Sequence, residues 1–332
     1  MAVADAPPQK KTPEILTHLV ELMKYHTAGD PVRGYKWSRK STYTIARELN
    51  HLNITVCPST VGRLLKAQGY SLRKNRKSIE APAAKPPDRK RRNRQFLYIA
   101  RQRRLHEARQ MPVLSIDTKN RELIGQFYQD GLAWGRQSTP VFDHDFPSMA
   151  KGFGIPHGIY DTGRNAGFIS VGTSSDTAEF AVDNLLAWWR QVGQSAYPHA
   201  NEILLLADCG GSNGYRTRLW KQQLQERFCN ALGIAVRVCH YPPGASKWNP
   251  VEHRLFAFIA RNWAAVPLDS YQTMLNYIRT TTTQSGLTVQ ARLNRKKYQR
   301  GIEVSRAQMQ RVRLTGHTAN PEWNYSIAPA AG

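Results

Sequence analysis

Two short apolar runs, each closing on an aspartate, constrain this chain more than any other feature: MPVLSID ends at Asp117 and EILLLAD ends at Asp208. Both are too short for a typical helix and are bounded by polar residues, so they read as buried strands. A carboxylate directly after a buried strand is costly unless it is paired or bound to a metal. In open α/β sheets, active sites gather at strand ends. Asp117 and Asp208 are therefore candidate site residues, although each alone is equally well explained as a helix cap or an arginine partner.

The surrounding pattern sets the fold class. RELIGQFYQ is expected to be the hairpin partner of the first strand and GFISVGT a third strand. TAEFAVDNLLAWWRQ reads as an amphipathic helix with Trp188 and Trp189 in the core, YRTRLWKQQLQERFCNAL as a helix, and IAVRVCHY as the final strand. After the loop PPGASKWNP, NPVEHRLFAFIARNWA reads as a helix with Glu252 in its first turn and Pro250 at an early position that suits proline. Strands followed by alternation with helices predict an α/β layer with a mixed sheet. Three carboxylates gathered at one place repel unless divalent cations lie between them. Hard oxygen donors without His or Cys partners select Mg²⁺ or Mn²⁺, and two such ions can clamp both oxygens of an in-line phosphoryl displacement.

The first eighty residues read as short helices. TPEILTHLVELMKYHTA carries Ile15, Leu16, Leu19, Leu22 and Met23 at helical spacing. RKSTYTIARELN, the turn HLNITVC and PSTVGRLLKAQGY then form a helix-turn-helix pattern. In its second helix Val61, Leu64 and Leu65 are expected inward, and Ser59, Thr60, Arg63 and Lys66 outward toward DNA. The basic segment YSLRKNRKS, with Arg73, Lys74 and Arg76, is a candidate wing. Residues 79–110 read as a Pro- and Ala-rich linker running into a basic helix, and 111–332 as the catalytic domain with a C-terminal extension.

Charge supports a polyanionic partner. Lys and Arg number 47 against 24 Asp and Glu, a net charge of +23, and neutralised phosphates release condensed counterions. The four cysteines form no CxxC pair, which argues against a zinc ribbon or disulfide framework and for a reducing, cytoplasmic setting. No apolar run is long enough for a membrane span.

Several further residues have plainer readings. Asp143, His144 and Asp145 form a structured loop, Asp161 belongs to a turn, and the glycines after Asp208 serve a tight strand-to-helix turn. His240 and Tyr241 end a strand, where a structural role outweighs contact with DNA. Trp248 is as well suited to packing as to stacking on a base.

The motifs LSIDTKNRELIGQF, VFDHDFPS, GIPHGIYD, FISVGTSSDTAEFAV, LLLADCGGSNGYR and HYPPGASKWNPVEHRLF together resemble the Rhodopirellula-type DDE transposase family of bacterial insertion sequences. IARELN, STVGRLLKAQGYSLRKNRK, DRKRRNRQF and PEWNYSIAP fit the same resemblance, which is similar through PPGxSxWNPxE to the wider mariner-like group. The resemblance implies an RNase H-like catalytic domain behind an all-α helix-turn-helix domain at 1–78. It implies a DDE triad at Asp117, Asp208 and Glu252, with Asn249 orienting the helix or the DNA. The activity implied is metal-dependent cleavage and strand transfer of double-stranded element ends into target DNA, using two Mg²⁺ or Mn²⁺ ions per site. A homodimer or higher oligomer on DNA, in the bacterial cytoplasm and nucleoid, is expected. Family members often carry a further N-terminal helix-turn-helix, and this chain starts at what corresponds to the middle of that region. A truncated copy acting as a regulator, or a nuclease that cuts without joining, are the alternatives.

Overall fold

A computed structural model describes residues 14–26, 28–30, 35–37, 41–70, 88–132 and 138–330. The chain divides into two compact units, Met1–Ser78 and Ile79–Gly332.

The first unit contains helices α1 (Ile15–His26), α2 (Thr42–His51) and α3 (Pro58–Ala67), with a two-stranded antiparallel ribbon of β1 (Ala28–Asp30) and β2 (Tyr35–Trp37) after α1. The ribbon means the unit is not all-α. Gly and Pro around it break the helical periodicity without suppressing strand pairing. Ser41 caps α2 by accepting from the Thr44 amide, and Pro58 opens α3 at a position where its missing N–H costs nothing. The Asn50 side chain accepts from Val56 N at 3.0 Å and fixes the connection between α2 and α3. Ile15, Leu19, Ile45, Leu49, Val61 and Leu64 form the core of this unit. Ser59, Arg63 and Lys66 are exposed as expected, but Thr60 is buried. It lies one turn before Leu64 on the inward stripe, and its hydroxyl takes a hydrogen bond from Arg63 at 3.2 Å. Arg73, Lys74 and Arg76 lie outside the described residues.

The second unit is a mixed sheet with helices on both faces. Its strands are β3 (Val113–Thr118), β4 (Glu122–Ile124), β5 (Gly152–Asp161), β6 (Ala166–Gly172), β7 (Glu202–Ala207), β8 (Ala235–His240), β9 (Thr288–Asn294), β10 (Leu314–Gly316) and β11 (Asn324–Ile327). They run in the order β10-β11-β8-β7-β3-β5-β6-β9, with β4 added on β5. The pairs β3–β7, β7–β8 and β6–β9 are parallel and the rest antiparallel. The mixed α/β sheet agrees with the sequence reading, with two corrections. RELIGQFYQ is not the partner of β3: both sides of β3 are taken, by β5 and β7, and β4 pairs with β5. Nor is β8 the last strand, since β9, β10 and β11 follow it.

Basic helix α4 (Arg89–Ala108) leads into this unit and packs on β3 and β7. Its buried residues, Gln95, Ile99, Gln102 and His106, form a single stripe, which leaves Arg89, Arg94, Arg101 and Arg104 exposed. Helix α5 (Ala178–Trp188) is buried almost all round rather than amphipathic, because it is enclosed between the sheet and the helical run after Thr217. Trp188 and Trp189 are core residues, as the sequence indicated. Among the described residues no helix is long and apolar enough to cross a membrane.

Candidate active site

The alternation of side chains along β3 and β7 brings the two aspartates together. Leu114 and Ile116 join Ile203, Leu205 and Ala207 in the core on one face. Val113 joins Leu204 and Leu206 in a separate cluster on the other. With a period of two, residues 113, 115 and 117 share a face with 204, 206 and 208. The parallel register, Val113 beside Leu204 and Ser115 beside Leu206, then brings Asp117 alongside Asp208 where the two strands end. Both strands point the same way, so both carboxylates emerge at one end of the sheet.

Glu252 is carried onto this face by a helical run that starts at Pro250. It opens as a π turn over Glu252–Phe256 and continues as α6 (Ala257–Asn262). Two glycines admit this run to the sheet. A Cβ on Gly158, which pairs with Asp117, would lie 2.6 Å from Phe256 Cε1, and one on Gly167 would lie 2.4 Å from Leu255 Cδ1. A buried polar network sets its register. Ser115 Oγ donates to Asn249 Oδ1 at 2.5 Å and accepts from Val251 N at 2.8 Å. Asn249 Nδ2 donates to Ile116 O and to Asp208 Oδ1, each at 3.2 Å. One asparagine therefore ties β3, the end of β7 and the helix of Glu252 together, and neither Ser115 nor Asn249 is exposed to solvent.

The three carboxylates are half-buried and feel one another. Burial, then the Asp208 charge, and finally the charge of Glu252 and a hydrogen bond to it push the Asp117 carboxyl far above the usual range, to about 8; the Thr118 amide, donating at 2.8 Å, opposes this. Burial and the Glu252 charge raise Asp208 to about 6, against the opposing Asn249 hydrogen bond. Among the described residues no three His, Cys, Asp or Glu side chains stand close enough to enclose an ion as they are. The carboxylates meet as an open cluster, and the raised proton affinities of Asp117 and Asp208 record burial first and mutual repulsion second.

A fourth carboxylate, Asp176, borders the cluster. Thr118 Oγ1 donates to it at 3.2 Å, and burial raises its proton affinity. The buried Ser212 hydroxyl lies close enough to offset part of that rise but makes no well-formed hydrogen bond. Ser115 and Asp176 carry no role in the sequence reading. Ser115 had a signal, as the one polar residue inside VLSI; Asp176, in the loop before α5, had none.

The other singled-out residues lie as follows. Asp143, His144 and Asp145 are in an exposed loop. Asp161 closes the β5–β6 turn, accepting from Gly163 N, Arg164 N and the Tyr197 hydroxyl. Gly211 takes φ +77°, as a tight turn after Asp208 requires. His240 and Tyr241 are buried, with His240 Nδ1 against Asp208 O at 2.7 Å. Trp248 is 54% exposed.

Comparison with solved structures gives low-similarity matches. They include the Mos1 transposase paired-end complex with left transposon end (TM-score 0.43, 14% identity, 84% of this chain and 73% of that one). The Mos1 strand transfer complex (0.42, 15%, 84% and 72%) and the Mos1 mariner paired end complex with Mn (0.42, 15%, 84% and 73%) are alike. No curated protein matches the chain. Residues 18–329 match the family described as the Rhodopirellula transposase DDE domain. The chain belongs to that family.

Proposed function

We propose that this protein is a DNA transposase that cuts and joins DNA strands with Asp117, Asp208 and Glu252 in an RNase H-like catalytic domain. The observation that carries the reading is the convergence of these three carboxylates, from two parallel strand ends and one helix, at one edge of the sheet. Membership of a DDE transposase family supports it.

The donor set fits a hard divalent cation. It offers carboxylate oxygens, and burial first, then their mutual repulsion, makes Asp117 and Asp208 hold protons abnormally tightly. Asp117 and Asp208 would hold Mg²⁺ or Mn²⁺ between them, and Glu252 would complete the set for a second ion. Bound there, the cations supply positive charge to the attacking and leaving oxygens of an in-line phosphoryl displacement. The protein's own part is positional. Asn249 orients Asp208, and the Ser115 hydroxyl fixes the helix of Glu252. In the first unit Ser59, Arg63 and Lys66 on α3 would contact DNA, with Arg73, Lys74 and Arg76 proposed from the sequence as further DNA contacts and Thr60 restricted to holding Arg63. Reaction on paired ends calls for a homodimer or larger assembly.

The test incubates purified protein and Mg²⁺ or Mn²⁺ with DNA carrying the flanking inverted repeats. Nicked and joined products are expected, and Asp117→Ala, Asp208→Ala and Glu252→Ala should each abolish both. Normal cleavage by any of the three removes that residue from the site. Cleavage without joining would make the protein a nuclease, and DNA binding without cleavage a regulator.

A further inference from the structure

A cleft of about 430 Å³, lined by none of the three carboxylates but by neighbours of theirs in register and sequence, is assigned no role by cleavage or end recognition. Arg103, Tyr160, Trp248, His253 and Arg254 line it, together with the β5–β6 turn and Pro250. Its place in the fold is set by the register. Tyr160 pairs with Ser115, two residues before Asp117, which is about 7 Å along the strand. Trp248 and Pro250 flank Asn249, and His253 and Arg254 follow Glu252 directly. A strand with its scissile phosphate at the carboxylates therefore has the cleft within reach of its next nucleotide.

The lining has the chemistry of a nucleotide site. No lining residue is acidic. Arg254 and His253 make no ion pair among the described residues. Arg103 reaches Glu107 through one guanidinium nitrogen at 3.5 Å, while its Nε is buried without a partner. The opposite wall is already satisfied: the Tyr160 hydroxyl donates to Asn165, Asn165 donates to Ser285 O, and Thr162 donates to Val113 O. That wall is polar but not demanding, and the cations remain for an anion. Trp248 exposes half of its surface, yet its ring is braced edge-on against Phe96 at 5.9 Å between centroids. A braced, half-exposed indole, with Lys247 Nζ 5.7 Å from its ring centroid and Arg254 and the partly paired Arg103 beside it, is the combination that binds unpaired nucleic acid, because every base offers a π face and every link a phosphate.

We propose that this cleft is a single-strand subsite. Resting on the transposase reading above, it takes one unpaired deoxynucleotide next to the scissile phosphate, with the base on Trp248 and the phosphate on Arg254 and Arg103. A base within a duplex cannot offer its face to Trp248, so the subsite distinguishes opened from paired ends. Stacking carries no base preference.

The test uses the full protein in EDTA and two DNA ends: a blunt duplex, and the same duplex with a short single-stranded tail carrying 2-aminopurine. Wild type is expected to bind the tailed end more tightly and to quench the 2-aminopurine. Trp248→Ala should abolish the quenching and raise the tailed-end Kd at least about five-fold, leaving the blunt-end Kd unchanged. Trp248→Phe should restore both, and Arg254→Gln should weaken the tailed end alone. Quenching that persists in Trp248→Ala overturns the subsite, as does an equal loss of affinity for both ends. Asp117→Ala separates the two readings, since it should lose cleavage and keep the tailed-end preference. Wild-type protein that shows the preference but never cleaves with Mg²⁺ or Mn²⁺ would refute the transposase and spare the subsite.

Discussion

Ser115→Ala removes a single oxygen, but one on which the helix of Glu252 depends. That oxygen accepts from Val251 N at 2.8 Å and donates to Asn249 Oδ1 at 2.5 Å, with both residues fully buried. Alanine leaves a backbone donor and an amide oxygen without partners where water has little access. Each such group costs about 1–3 kcal/mol, so the change should destabilise the second unit by about 2–6 kcal/mol. For a unit of this size that lowers the melting temperature by at least about 4 °C. The functional effect should be larger than the loss of folded protein. Asn249, freed on one side, no longer fixes Asp208 and the helix together, and a misplacement near 1 Å can cost about 100-fold in rate. The assay pairs thermal unfolding by circular dichroism with metal-dependent cleavage measured well below the melting temperature. A double-mutant cycle with Asn249→Ala should show coupling of roughly 0.5–3 kcal/mol, as expected for residues sharing one network. Two results would refute the reasoning: unfolding coincident with wild type, or clear destabilisation with cleavage at the wild-type rate. The second would mean that Ser115 holds the fold together without positioning Glu252.

Three further outcomes are expected. Gly158→Ala places a methyl 2.6 Å from the buried Phe256 ring, so it should cost about 1–3 kcal/mol in urea unfolding and depress cleavage by lifting the helix; an unchanged urea midpoint contradicts the close packing. His157 is held neutral by burial, near a pKa of about 4, with Asn184 donating to its Nδ1. The unfolded chain binds that proton first, so stability should fall as pH drops from about 6.5 to 4, by roughly 3 kcal/mol from this residue; His157→Gln should flatten that slope, and an undiminished slope rules the residue out. For Asp117 and Asp208 the sign reverses, because their proton affinities are raised in the folded state. The metal-free protein should lose stability as pH rises from about 4 to 8, so stabilisation by Mn²⁺ should grow over that window and shrink in Asp117→Asn. Equal stabilisation of both proteins at pH 8 would remove Asp117 from the cation site.

Where sequence and structure agree, the agreement follows from periodicity. VLSID and EILLLAD are central strands flanked on both sides, so their apolar runs are unbroken and their ends sharp. The partner of β3 was not legible for the opposite reason. Strand β5 reads GFGIPHGIYD, with glycines and a proline where strand formers are expected. The glycines make room for Phe256 and Met274, and Pro156 sits where β3 is ending, so its missing N–H is tolerated. The spatially distant helix, rather than local propensity, selects those residues. Strands β10 and β11 are three and four residues long, too short for any alternation to register. Thr60 shows the reverse error: a polar residue assigned outward by type, which its place one turn before Leu64 turns inward.

The candidate site divides along the same line. Asp117 and Asp208 could be read from the chain because each is positioned by its own strand, and the parallel register does the rest. Glu252 could not be placed by spacing, since what locates it is tertiary: two glycines on β5 and β6, and the hydrogen bonds of Ser115 and Asn249. The two aspartates share a rigid frame, whereas the glutamate reaches them through a π turn, a geometry that recurs at functional sites because it departs from the regular helical ladder. A change in the helical run should therefore move Glu252 relative to the aspartates and leave the aspartates in register. That asymmetry separates the two classes of variant. Substitutions on β3 or β7 that shift an aspartate must disturb the sheet and so cost folding. Substitutions along the helical run can detach the third carboxylate from a pair that stays in place, whereas those at Asn249 also release Asp208.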